Sequence, residues 1–315
     1  MNISIIIPVK NGLKWLRNSI PLFFNQNRAQ EVELIILDSG STDGLQSFIK
    51  SLIQFNIKLI EINPNEFNHG ATRNLGVKHA SHEILIFTVQ DATPVGSEWL
   101  ISLIEPLLIE NLDAICGQQV VLNDLNKNPV EWFRPIDPPS IKKIEITPLE
   151  FSNLTPIKKR LLTGWDNVNA AYKKSSLEIH PFKEVVFGED AYWAVDALNA
   201  GLKIAYTSLS KVDHYHHYSQ NQFIDRYFAE IYLFKQLYNL DAEKRKINIK
   251  NLLVWFKTII KSHHMPKEIL YWMHYNLISV SAYNQSIELF NSGKINNIEM
   301  HLIKNRTMST NNSKS

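Results

Sequence analysis

Four short apolar runs, each followed by a polar loop, dominate the first third of the chain and restrict it to a sheet flanked by helices. The runs at residues 3–7, 32–37, 57–62 and 84–89 are rich in β-branched residues, as strands covered on both faces should be. Between them, residues 13–25, 45–55 and 70–80 read as helices. Residues 98–109 read as a fourth, with a kink or break expected at Pro106. Pro8 is expected to end the first strand, because proline cannot donate to a central ladder. Strand, helix, strand at this spacing implies an α/β fold with a mostly parallel central sheet. Right-handed crossovers put the C-terminal strand ends on one edge, where ligands of open α/β sheets bind. The polar loops 8–12, 38–44, 65–73 and 90–94 should therefore face one crevice.

Residues 123–160 break the rhythm. They carry Pro129, Pro135, Pro138, Pro139, Pro148 and Pro156, which reads as an irregular excursion or lid. A helix is expected over 189–200, ended by Gly201, followed by a strand over 204–206. From Asn221 onward the pattern is helical. These readings divide the chain into a domain over 1–235, a helical C-terminal extension over 236–304, and a polar tail over 305–315 expected to be disordered.

With 315 residues, 44% of them hydrophobic, the chain can bury a sizeable core. Lys plus Arg number 33 against 31 Asp plus Glu, a balance that argues against a dedicated nucleic-acid binder, though not against a local basic patch. The single cysteine, Cys116, excludes an intramolecular disulfide and a multi-thiolate zinc site, and fits a reducing compartment. In DAICGQQ it reads as a small buried hydrophobe. The opening MNISIIIPVKNG is a strand rather than a secretory leader, having no basic lead and a short apolar run. No uncharged window of about 18–20 apolar residues occurs. The expected location is cytoplasmic.

Several polar clusters can carry chemistry, each beside a plainer reading. Asp38 ends a buried strand and opens DSGSTDG. With Ser41 and Asp43 it can bind a base or a ribose hydroxyl, or simply close a turn. Gly70 and Arg73, in NHGATRN, stand at a helix start that can favour an anion, or are an ordinary helix start with a surface arginine. Asp91 follows a strand and can hold a divalent cation against a pyrophosphate, or serve as a loop residue. Glu189 and Asp190 open a helix, where acids are favoured by the helix dipole and where one can act as a general base. His214 and His216 share a face if the segment is extended, as metal ligands or as part of a surface cluster.

Together the blocks IIIPVKNG, LDSGSTDG, FNHGATRN, VQDATP, GWDNVNAAYKKSSL, FGEDAYWAVDALNAGLKIAY and VDHYHHYS resemble family 2 glycosyltransferases with the GT-A fold, over about residues 2–235. FNHGATRN with QDATP and HYHHYS resembles the rhamnosyltransferase branch. The resemblance implies a GT-A nucleotide-sugar-binding domain with a helical C-terminal extension. It implies a nucleotide-sugar donor, dTDP-rhamnose or another, and a glycan or lipid-linked glycan acceptor in bacterial surface polysaccharide synthesis. It implies that Pro8, Val9, Asp38 and Ser41 line the nucleoside pocket, and that Gly70 and Arg73 face the diphosphate. Asp91 would stand in for the Asp-x-Asp carboxylate and His214 would join it on the metal, Mg²⁺ or Mn²⁺. Asp190, with Glu189, would be the catalytic base; Trp165, Asn169 and His216 would lie on the acceptor side. The motif departs from the family pattern as Gln90-Asp91-Ala92, with one acid, which puts tight metal binding in question.

The mechanism implied is inversion at the anomeric carbon by a single displacement. Two rivals stand beside it. A sugar-phosphate nucleotidyltransferase would need a Gly- and Arg-rich loop after the first strand, which PVKNGLKW does not supply. A degenerate glycan-binding scaffold would explain the missing acids. In residues 248–284, Leu252, Leu253, Phe256, Ile259 and Ile260 recur at helical spacing among Lys250, Lys257 and Lys261, with Pro266 interrupting. This pair of amphipathic helices either meets the inner face of a membrane peripherally or packs on the catalytic domain or a second copy.

Overall fold

The structure, a computed structural model, describes residues 2–27, 31–132, 140–262, 265–294, 298–299 and 301–302. The expected tail over 305–315 lies outside the described residues, as do Pro135, Pro138 and Pro139. By its contacts the chain forms two compact units. The first comprises Met1–Gln119 and Asp137–His214, the second Val120–Ile136 and Tyr215–Ser315.

The first unit is built on one sheet. Its strands are β1 (Asn2–Val9), β2 (Glu31–Asp38), β3 (Ile57–Glu61), β4 (Ile84–Thr88), β5 (Thr93–Pro94), β6 (Ala114–Val120), β7 (Ile141–Lys143), β8 (Asn169–Lys173) and β9 (Ile204–Asp213). Their order is β3-β2-β1-β4-β8-β6-β9-β5, with β7 also on β9. Strands β1 to β4 pair in parallel, with Ile5 opposite both Leu34 and Ile86. Strand β8 runs antiparallel to both β4 and β6, so β6 shares the direction of the parallel half.

Both faces are covered, which is why the runs are continuously apolar. Ile3, Ile5, Ile7, Leu34, Ile36 and Ile86 point to one core, closed by the helices Leu13–Phe24, Leu45–Ser51 and Trp99–Ile109. Ile6, Ile35, Leu37, Leu85 and Phe87 point to the other, closed by His69–His79 and Glu189–Asn199. The two sets alternate, as the two-residue repeat of a strand requires. Cys116 is buried in the second core, as expected.

Several boundaries differ from the sequence reading. Pro8 does not end β1; it pairs in register with Leu37. The β4 register stops at Ile6, so the missing N–H of Pro8 leaves no ladder bond unmade on that side. Pro106 lies inside a continuous helix. The helix expected over 45–55 stops at Ser51, and the strand expected over 204–206 runs to Asp213. Strands β6 and β8, too mixed in polarity to read as apolar runs, are additional. The excursion over 123–160 contains the helices Pro148–Ser152 and Pro156–Leu162, each started by its proline, and the edge strand β7.

The second unit is helical. Gln220–Tyr238 and Ile249–Lys261 each begin with a reciprocal capping box, Ser219 with Gln222 and Asn248 with Asn251. Pro266 starts the long helix that follows, Pro266–Asn291. Phe223, Ile259, Trp272, Tyr275 and Ala282 form the unit's core. Beneath it, Asn128 and Asn276 exchange amide hydrogen bonds of 3.0 and 3.2 Å. Among the described residues no helix is long and apolar enough to cross a membrane.

Candidate active site

At the C-terminal ends of β1, β2 and β4 three loops are tied together. The Lys10 N–H donates to Gln90 Oε1 at 2.9 Å, and the Asn11 N–H to Ser41 Oγ at 2.8 Å. The N–H groups of Thr42 and Leu13 donate at 2.8 Å to Asn11 Oδ1 and Asp43 Oδ2. A Cβ at Gly12 would lie 2.7 Å from Val9 Cγ1 and 2.8 Å from Gln90 Oε1, so only glycine fits this junction. Pro8, Val9, Asp38 and Ser41 thus share one edge of the sheet. Asp38 is fully buried; Oδ1 accepts the Ser41 N–H at 2.9 Å and Oδ2 accepts Gln46 Nε2 at 3.1 Å. Its carboxylate holds the loop in shape.

The fourth loop has a different role from the one expected. Asn68 caps the helix His69–His79, its Oδ1 accepting from the N–H groups of Gly70 and Ala71 at 2.9 and 3.1 Å. Its Nδ2 donates to the Val185 carbonyl at 3.0 Å. A Cβ at Gly70 would lie 2.0 Å from the Lys183 carbonyl oxygen. Gly70 is therefore required by the 182–185 backbone passing over it, and the Gly70 and Ala71 N–H groups are already taken by Asn68 Oδ1. Arg73 also turns inward. It is buried, and its guanidinium contacts the Glu189 carboxylate. The anion that Arg73 meets is an acid of its own chain.

Glu189 and Asp190 begin the helix Glu189–Asn199 after Gly188, whose φ of 78° is a left-handed turn. The two acids have opposite environments. Burial disfavours charge on Glu189, but Arg73 and His69 outweigh it and hold the carboxyl below the usual range. Burial pushes Asp190 up, and the neighbouring Glu189 charge pushes it further; Arg73 opposes both. Asp190 is only half-buried, with Oδ2 accepting the Asn167 N–H at 3.3 Å and Oδ1 the Ala191 N–H at 2.8 Å. The pair is thus split, with Glu189 shifted toward its charged form and Asp190 toward its neutral form.

On the far side of the β4 end, Asp91 Oδ1 lies 3.6 Å from His214 Nε2. Bonds of about 2.1 Å to each can span that gap, and a carboxylate with an imidazole suits Mn²⁺ better than the oxygen-seeking Mg²⁺, with remaining positions filled by phosphate or water. The donor set therefore fits a divalent cation. The motif's unusual neighbours have structural reasons: Ala92 is fully buried in the core, and Gln90 holds Lys10. His216 falls in the second unit, stacked on Tyr218 with ring centroids 5.2 Å apart.

Trp165 and Asn169, expected on the acceptor side, are core residues instead. Trp165 is 4% exposed, packs on Tyr172, Trp193 and Tyr206, and donates to the Tyr172 hydroxyl at 2.6 Å. Asn169 is fully buried; it accepts from Trp99 Nε1 at 2.9 Å and donates to the Ser210 carbonyl at 3.2 Å. Two residues not singled out in the sequence reading stand beside His214 and Asp190. Asp166, raised by burial, interacts electrostatically with both His214 and Asp190. Gln119, at the end of β6, meets His214 Nδ1 at 2.8 Å. An acid just ahead of NVNAAY and a polar pair ending β6 were the available signals.

A parallel nucleotide-fold half, an antiparallel second half and an acid pair at a helix start define a glycosyltransferase of the GT-A fold. The sequence profile of Glycosyl transferase family 2 matches residues 4–179, and the chain belongs to that family. It is rhamnosyltransferase-like. It is 31% identical over 231 residues to the O-antigen chain rhamnosyltransferase RfbN of Salmonella typhimurium, covering 72% of this chain and 71% of that protein. To the O-antigen chain rhamnosyltransferase WbaN of Salmonella anatum it is 30% identical over 230 residues, 71% of this chain and 70% of the other. The fold is shared with the mannosyltransferase PcManGT from Pyrobaculum calidifontis, solved with GDP-Man and Mn²⁺ (TM-score 0.55, 16% identity, 93% and 79% of the two chains). It is also shared with S. aureus TarS 1-349 bound to UDP-GlcNAc (TM-score 0.54, 15% identity, 93% and 92%).

Proposed function

We propose that the enzyme transfers rhamnose from dTDP-rhamnose, with inversion, to a hydroxyl of a glycan or lipid-linked glycan in the synthesis of a bacterial surface polysaccharide. The similarity to two O-antigen chain rhamnosyltransferases supports donor and pathway class. The observation that carries the mechanism is the split acid pair, one carboxyl held charged by Arg73 and its neighbour raised and half-buried.

In this reading Asp190 accepts the acceptor hydroxyl's proton as that oxygen forms its bond to the anomeric carbon. The bond from that carbon to the diphosphate oxygen breaks, and the electron pair leaves with the nucleoside diphosphate. A base with a raised pKa is better matched to a hydroxyl near neutral pH than an ordinary carboxylate. The loops at Pro8–Val9 and Asp38–Ser41 form the nucleoside side of the site. Asp91 and His214 would hold Mn²⁺ or Mg²⁺, which when bound neutralises charge on the departing diphosphate. Arg73 is reassigned: it fixes Glu189 and so sets the charge beside the base. Incubating the enzyme with dTDP-, UDP- and GDP-sugars tests the donor, since preferred release from a UDP-hexose in direct competition contradicts it.

The second unit supports a peripheral contact with an anionic lipid surface. Ile249, Leu253, Phe256 and Ile260 lie on one face of the helix Ile249–Lys261, 72, 50, 44 and 44% exposed. The same helix carries Lys250, Lys257 and Lys261 and no acid. An apolar stripe on a helix whose charged residues are all lysines matches anionic headgroups better than a second copy of itself, whose lysines would repel.

A further inference from the structure

The metal-side histidine is held by a two-residue relay, Gln119 and Asp166. His214 Nδ1 lies 2.8 Å from Gln119 Oε1. A carboxamide oxygen only accepts, so Nδ1 must carry the hydrogen. The carboxamide could be turned the other way, but its second end is fixed as well. Gln119 also hydrogen-bonds Asp166. A carboxylate only accepts, so it takes the Gln119 N–H₂ and leaves Oε1 for the histidine. Asp166 is anchored in turn, its Oδ1 accepting the Val168 N–H at 3.0 Å. With Nδ1 protonated, the neutral imidazole presents its Nε2 lone pair on the side of Asp91 Oδ1, 3.6 Å away.

We infer that Asp166 and Gln119 are positioning residues which set the His214 tautomer for cation binding: Asp166 orients the Gln119 amide, and Gln119 orients the imidazole. The direction of the relay matters, because the opposite tautomer would aim an N–H at the cation. Partners of this kind around a ligating histidine typically contribute about 10–100-fold in metal affinity. The inference rests on Asp91 and His214 as the cation site, and its test separates the two.

The test uses the full chain and two readouts other than turnover. The first is the ¹⁵N spectrum of the histidine rings without metal, with His214→Gln identifying the signal. The second is Mn²⁺ affinity from the free-ion electron paramagnetic resonance signal. The wild type should show His214 protonated at Nδ1, and Gln119→Leu should lose that preference and bind Mn²⁺ about 10–100-fold more weakly. Gln119→Glu alone sets a carboxylate against Asp166 and should also bind poorly. Adding Asp166→Asn should restore binding, since the amide introduced at position 166 then donates to the carboxylate introduced at position 119, which still accepts from Nδ1. A folded Gln119→Leu with wild-type tautomer and affinity overturns the relay. Failure of the double variant to recover over Gln119→Glu also overturns it. Nδ1 protonation lost in Gln119→Leu, with no Mn²⁺ binding by the wild type, keeps the relay and removes the metal site.

Discussion

Arg73 and Glu189, 116 positions apart in sequence, form an ion pair in which each side chain is only 6% exposed. The pair joins the helix of the FNHGATRN block to the helix of the FGED block. Breaking a buried pair from one side leaves an uncompensated charge, at a cost of about 3–5 kcal/mol. Arg73→Met should therefore destabilise the protein by about that much in urea unfolding. Arg73→Met combined with Glu189→Leu should recover a large part of the loss. An Arg73→Met protein as stable as wild type would mean that the pair does not hold the site together.

The base has a pH signature. Asp190 is raised by burial and by the Glu189 charge, so the acid limb of kcat/KM should lie above the ordinary carboxylate range. Glu189→Gln removes one raising charge and releases Arg73, which lowers. Both changes shift the Asp190 pKa down, so the acid limb should move to lower pH. A limb unmoved by Glu189→Gln would separate the pair electrostatically.

How much of this was legible beforehand depends on the kind of residue. The alternating cores of β1, β2 and β4 follow directly from period-two runs, and the junction of the loops at Lys10, Ser41 and Gln90 follows from parallel topology. Strands β6 and β8 were hidden because Gly117, Gln118, Gln119 and Asn169 interrupt their apolar character. The likeness of motif blocks identified the family but not the direction in which each side chain points. Arg73 and Gly70 suit an anion at a helix start, yet the 182–185 segment covers that end. No local pattern reveals a partner more than a hundred residues away. Asn169 and Trp165 sit in a motif block because they pack it.

Acid stability should report on Glu33, a buried acid of β2 set opposite Ser4 of β1. Burial opposes its charge, but Lys58, Ser4 and Ser81 hold its pKa down to about 2 from 4.5. The Ser4 hydroxyl donates at 2.6 Å and the Ser81 N–H at 2.9 Å. With the folded pKa below the unfolded one, this stabilisation is complete above about 4.5 and is lost as pH falls toward about 2. Glu33→Gln should cost about 1–3 kcal/mol at neutral pH and flatten the stability profile between those limits. An equal acid dependence in the variant would place that dependence elsewhere.

The exposed stripe of Ile249, Leu253, Phe256 and Ile260 should bind vesicles of phosphatidylglycerol at low salt and release them at high salt. Replacing Lys250, Lys257 and Lys261 together with glutamine should abolish sedimentation with vesicles while leaving transfer to a soluble acceptor unchanged. Binding equal to wild type in the triple variant would contradict a lipid contact through this helix.

The central claim is that Asp190 is the base of an inverting transfer from a nucleotide sugar. The direct measurement is nucleoside diphosphate release from dTDP-rhamnose with Mn²⁺ and a glycan acceptor, comparing wild type with Asp190→Asn, alongside thermal shift by the donor. Asparagine keeps the size but cannot take the proton, so turnover should fall by at least about 10²–10⁴-fold. The donor should still raise the melting temperature of the variant as it does that of the wild type. Wild-type turnover by Asp190→Asn would contradict the account and move the base elsewhere.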